Sequence, residues 1–134
     1  PQDDLEALRA FIYAFPAESA PVTGQQVTLA PENKDQAADR IALLVERGLV
    51  TQPIPECDVV VSGVIAGEPR AWSMDRDGNF RPDRAAAPDL DAAELTALVE
   101  AADDRLTWMC TPWGSGERIG IDRDLDGTRD ADEI

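Results

Sequence analysis

At 134 residues with a formal net charge of -15 and a pI near 4.1, the chain is the size of one compact domain, and its surface repels phosphate backbones. Nucleic acid is therefore excluded as a partner, and no apolar run approaches the roughly 18 to 20 residues of a membrane span. Hydrophobic residues make up 43% of the chain and aromatics only 5%, so the expected core is built from Leu, Val, Ile and Ala.

In chain order, Asp3 to Phe15 reads as an amphipathic helix: Asp3 and Glu6 have the spacing of a capping box, Leu5, Leu8, Phe11, Ile12 and Phe15 share a face, and Pro16 stops it. Gln25 to Leu29 reads as a short strand or an extended loop. A second helix is expected from about Pro31 to Arg47, with Ala37, Ala38, Ile41, Leu44 and Val45 as its apolar stripe and Gly48 as its C-terminal cap. Cys57 to Ile65 is Val-rich and bounded by Pro55 and Gly67, which favours a strand, and Arg70 to Met74 is its hairpin partner. Asp75 to Asn79 contains an Asp-Gly turn, and Phe80 to Arg81 begins a strand that Pro82 interrupts. A third helix is expected over Leu90 to Ala102, where Asp91 and Glu94 repeat the capping-box spacing and Leu95, Leu98, Val99 and Ala102 supply the apolar face. Leu106 to Thr111 and Arg118 to Ile121 read as strands flanking the loop from Pro112 to Gly116. The pattern describes an α+β domain of three helices on a small, mainly antiparallel sheet over residues 1 to 117, followed by a calcium-binding segment over 118 to 134.

That segment carries the clearest chemistry. Asp122-Arg123-Asp124-Leu125-Asp126-Gly127-Thr128-Arg129-Asp130-Ala131-Asp132-Glu133 follows the pattern D-x-D-x-D-G-x5-E without a gap. Alternate Asp side chains at Asp122, Asp124 and Asp126 supply hard anionic oxygens, and Gly127 allows the turn that brings the chain back. The Thr128 carbonyl and Asp130, directly or through water, then complete a ring that Glu133 closes. So many carboxylates within a dozen residues repel one another unless a cation neutralises them. Calcium is the expected ion, because magnesium retains its waters and demands stricter octahedral geometry.

The segment Gly120-Ile121-Asp122-Arg123-Asp124-Leu125-Asp126-Gly127 resembles the calcium loops of EF-hand-like, dockerin-type and thrombospondin type 3 modules. The resemblance covers about the last fifteen residues and implies Ca2+ ligation by Asp122, Asp124, Asp126, Thr128, Asp130 and Glu133. Dockerins carry two such loops and this chain one; an EF-hand has a helix before the loop, where Arg118 to Ile121 reads as extended. More broadly, the chain is similar to C-terminal modules of large secreted bacterial proteins, and its start at Pro1 and end at Ile134 read as those of a fragment, a processed form or the ordered part of something longer.

Other constellations carry less. Cys57 and Cys110 lie far apart without CxxC spacing, and with no His in the chain a zinc ribbon and a c-type haem are excluded; a disulfide and a pair of buried thiols both fit. Asp75, Asp77, Asn79 and Asp83 resemble half of a second ion loop but also fit a hairpin turn. Trp72, Trp108 and Trp113 suit either a sugar-stacking platform or a core. No nucleophile elbow or phosphate-binding glycine loop occurs. The expected role is a non-catalytic, secreted or cell-surface calcium-binding module that orders its C-terminal segment within a larger extracellular assembly; the alternative is a carbohydrate-binding accessory domain or a fragment of a polysaccharide-active enzyme.

Overall fold

The computed structural model describes residues 3–7, 9 and 20–133. It is an α+β fold around a five-stranded sheet in the order β1-β5-β2-β3-β4, with every pairing antiparallel. The strands are β1 (Gln26–Leu29), β2 (Asp58–Ile65), β3 (Glu68–Met74), β4 (Phe80–Pro82) and β5 (Arg105–Thr111). Helices α1 (Lys34–Gly48), α2 (Ala92–Ala97) and α3 (Gly116–Gly120) surround it. No helix among the described residues is long and apolar enough to cross a membrane.

Strand alternation assigns the two faces. Val59 and Val61 of β2, Trp72 and Met74 of β3, Phe80 of β4 and Leu106, Trp108 and Cys110 of β5 point into one core, where Ala37, Ile41 and Leu44 of α1 cover them. The opposite face presents Val60, Ser73 and Arg81, in register across β2, β3 and β4, and α3 packs on it. Val59, Val60 and Val61 are consequently all buried, which explains the unbroken valine run.

Residues 3–7 and 9 are helical, and the remainder of the expected Asp3–Phe15 helix, with its stop at Pro16, lies outside the described residues. The second helix begins later than expected, because Pro31–Asn33 forms a 3-10 turn in which the Asn33 Oδ1 accepts the Ala30 N–H at 2.8 Å. It runs one residue longer, with Leu49 as its cap, and Gly48 serves instead to let the backbone approach Val59 and Met74.

The third helix is shorter than expected. Its capping box forms as read, with Asp91 Oδ1 accepting from Glu94 N and Glu94 Oε2 accepting from Asp91 N, both at 2.8 Å. It ends at Ala97 because the buried Asp104 carboxylate takes the N–H groups of Glu100 and Ala101. The same carboxylate accepts from Ala66 N at 2.9 Å, and the bonds from Ala66, Ala101 and Glu100 hold its pKa below the ordinary carboxylate range.

The largest correction concerns Arg118 to Ile121, which is not a strand: Gly116–Gly120 is a short helix. Asp58 Oδ2 accepts the N–H groups of Gly114 at 2.8 Å and Gly116 at 2.9 Å, which curls the chain as it leaves β5. Gly120 then lies close to Ser73, the Trp72 carbonyl and Val60, where an added Cβ would be crowded.

Cys57, just before β2, and Cys110, near the end of β5, are joined by a disulfide, with Cα atoms 5.5 Å apart and both residues buried. Gly63, midway along β2, faces Leu106 of β5, and a Cβ there would collide with the Arg105 carbonyl. Gly63→Ala is expected to cost about 2 to 3 kcal/mol, because the obstacle is backbone and cannot rotate away; urea unfolding measures it.

Candidate metal centre

The last turn of α3 delivers the chain into the acidic loop. Glu117 carbonyl accepts from both Ile121 N and Asp122 N at 2.9 Å, and Ile121 inserts into the protein interior. The loop therefore starts from a fixed point, and Asp122, its first acidic residue, is only 4% exposed.

The carboxylates of Asp122, Asp124 and Asp126 each bring one oxygen within 4.8 Å of the others, a group able to hold a metal ion. Their remaining hydrogen bonds shape the loop. Asp122 Oδ2 accepts from Gly127 N at 3.0 Å, Asp124 Oδ1 from Asp126 N at 3.2 Å, and Asp126 Oδ1 from Thr128 N at 2.7 Å. Each is a short-range side-chain to backbone bond that folds the chain back on itself.

Two residues of the loop have left-handed backbone, Leu125 at φ 58° and Gly127 at φ 92°. Glycine adopts that conformation freely and leucine does not. Leu125 is 57% exposed, so no burial compensates for the strain. Leu125→Gly is expected to stabilise the protein by up to about 1 kcal/mol, a gain that urea unfolding detects.

One buried oxygen of the triad has no hydrogen-bond partner among the described residues. Asp122 Oδ1 is buried and makes no hydrogen bond. A buried anionic oxygen without a donor carries a desolvation cost of about 1 to 3 kcal/mol, and more when charged. The residues thus fit a cation by their geometry as well as by their spacing: the orphaned oxygen belongs to the one buried residue of the acidic triad.

The return half of the loop is fastened to the sheet. Asp130 Oδ1 accepts from Arg123 N at 2.8 Å, and Asp130 N donates to the Ile121 carbonyl at 2.8 Å, closing the loop across its base. Ala131 N donates to the Asp83 carbonyl at 3.0 Å, Asp132 Oδ2 accepts from Ala85 N at 2.7 Å, and Arg129 Nη1 donates to the Pro82 carbonyl at 2.9 Å. These bonds hold residues 129 to 132 along the segment that follows β4, the edge strand.

Thr128 is exposed and donates its N–H to Asp126, and Glu133 is exposed just beyond the 3-10 turn Asp130–Asp132. Partial desolvation first, and then the charges of Asp124, Asp130, Asp126 and Asp122, push the Glu133 carboxyl above its ordinary range. Its response to all four aspartates places it in the same negative field.

The second acidic segment does not converge. Asp75 Oδ1 accepts from Asp77 N at 2.9 Å and Asn79 N at 3.0 Å around a hairpin turn with Gly78 at φ 85°. Asp83 pairs instead with arginines, its carboxylate 3.5 Å from Arg84 Nε and 3.8 Å from Arg70 Nε. The three tryptophans separate likewise: Trp72 and Trp108 are core residues, and Trp113 alone is half-exposed. Sequence reasoning missed the anchors Asp83, Arg129 and Asp132 and the cap at Asp58. Their partners lie 45 to 58 residues away, and local spacing contains no signal for them.

No protein-family model, curated protein or solved structure matches this chain.

Proposed function

We infer that the chain is a non-catalytic, calcium-binding module of an exported protein, in which the ion fastens the C-terminal segment to the edge of the sheet. The observation that carries the reading is Asp122 Oδ1, a buried carboxylate oxygen with no hydrogen-bond partner in a three-aspartate group. A cation supplies what that atom lacks and relieves the mutual repulsion of the acidic side chains.

The ligand set proposed is Asp122, Asp124 and Asp126, joined by the Thr128 carbonyl, Asp130 and Glu133, as in the EF-hand-like loops that the sequence resembles. The short helix α3 before the loop strengthens that likeness. All-oxygen donors at this number favour calcium over magnesium, which binds few carboxylates and keeps its water shell. Calcium is abundant outside cells, where a disulfide such as Cys57–Cys110 also persists, so the two features agree on an exported setting.

The mechanical role follows from connectivity. Between Ile121, set in the interior, and Asp132, bonded to Ala85, the chain is one acidic loop. An ion at its centre draws the two halves together, and the Arg129, Ala131 and Asp132 contacts transmit that order to the residues after β4. Partners are then other domains or subunits that dock on the ordered segment.

Thermal melts in calcium and in EDTA test the proposal. At a hundredfold excess over Kd, an ion bound only by the folded form adds about 2.7 kcal/mol, a rise of roughly 10 °C in Tm for a domain of this size. Identical melts in the two buffers would defeat the reading.

A further inference from the structure

A cavity of about 350 Å3 opens beside the start of β2, the end of β3, the turn leading into β4 and the loop entering α3. It is separate from the acidic loop, and none of the metal-centre residues lines it. Asp58, Ser73, Arg76, Arg81, Trp113 and Glu117 form its working surface. Its size falls at the lower end of the range for small-molecule sites, about 300 to 1,000 Å3.

We propose that this cavity is a binding site for a neutral saccharide unit. The mixed charge of the walls favours this class. The side chains of Asp58, Glu117 and Asp75 oppose a phosphate or other polyanion, whereas the guanidinium groups of Arg76 and Arg81 oppose a free cation. A ligand that is uncharged and offers hydroxyl groups, each both donor and acceptor, meets both kinds of wall.

Two further features sharpen the assignment. Arg81 Nε is a buried donor with no hydrogen-bond partner among the described residues. Trp113 is 50% exposed, while the other two tryptophans of the chain are fully buried. Arg76 lies 5.4 Å from the centre of its ring, a cation–π contact that steadies the indole at the surface. A sugar ring combines hydroxyl edges with apolar C–H faces, and so matches a polar cavity that has an aromatic side chain in its wall.

The walls are held in place before any ligand arrives. Asp58 Oδ2 accepts from both Gly114 N and Gly116 N, fixing the Trp113 loop against β2, and Asp75 Oδ1 fixes the turn that carries Arg76. Little ordering accompanies binding at such a site, which favours a small ligand.

The test is a titration of the intact chain, in excess calcium, with the methyl glycosides of glucose, galactose, mannose and N-acetylglucosamine. Two-dimensional NMR reports the Trp113 indole N–H and the Gly114 and Gly116 amides. Saturable movement of these signals is expected with at least one glycoside, weakened about fivefold or more in Trp113→Ala and in Arg81→Gln. Should Arg81→Gln fail to fold, Trp113→Ala, a substitution in an exposed loop, decides alone. The proposal is overturned if no glycoside moves the signals up to its solubility limit, or if the movement is unchanged in the variants. Saturation by inorganic phosphate or choline without any glycoside response also overturns it.

Discussion

Reduction of Cys57–Cys110 is expected to lower the stability of the folded chain by about 4 kcal/mol, the loop-closure entropy released to the unfolded state by a link spanning 53 residues. The consequence is large because both cysteines are buried and the bridge ties the first residue before β2 to the end of β5, two neighbours at the centre of the sheet. Urea unfolding with and without a reductant measures the loss, and the double variant Cys57→Ala, Cys110→Ala should show the same loss in both buffers. Intact mass after alkylation of denatured, unreduced protein gives the independent check: two alkylated thiols would contradict the bridge. A chain of this size depends on such a cross-link more than a larger one would.

The second large effect separates the metal from the fold. Asp122→Asn keeps an acceptor for Gly127 N, so the turn survives, and removes the buried charge. Without calcium the variant is expected to be more stable than the parent by on the order of 1 kcal/mol, because the orphaned anionic oxygen is gone. With calcium the order reverses: the parent gains about 4 kcal/mol at a thousandfold excess over Kd, and the variant gains little. This crossing of signs distinguishes a metal ligand from a residue that merely supports the loop, whose replacement would destabilise the protein in both buffers. Asp124 and Asp126 are exposed, so their substitution lacks the stabilising arm.

The sheet was legible in the sequence because its signals are local and redundant. The valine run bounded by Pro55 and Gly67, the Asp-Gly turn before Phe80 and the alternation through Trp108 each mark a strand. Helix α1 was legible from its apolar stripe, and the start of α2 from Asp91 and Glu94, whose side chains need only each other's backbone. The errors lie where a side-chain hydrogen bond, near or far in sequence, overrides the periodic pattern. The end of α2 is set by Asp104, and α3 forms because Asp58, more than 50 residues away, collects the amides of Gly114 and Gly116. Arg118 to Ile121 alone, short and with apolar residues alternating, reads as extended.

The candidate metal centre divides along the same line. Its acidic positions are a repeat of one residue type at fixed spacing, with glycine where left-handed backbone is needed, and both features survive without tertiary context. What spacing does not contain is the asymmetry of the site: Asp122 is buried beneath the loop because Ile121 anchors it, while Asp124 and Asp126 face solvent. The left-handed Leu125 was equally hidden, since leucine gives no cue for that conformation. The attachment of residues 129 to 132 to the edge of the sheet uses mostly backbone groups, which carry no residue code.

Isothermal titration of the metal-free chain with calcium tests the central claim most directly. The account predicts saturable binding of one ion per chain, loss of that binding in Asp122→Asn, and much weaker heats with magnesium. A flat calcium titration of folded protein, or an isotherm that Asp122→Asn leaves unaltered, would contradict it.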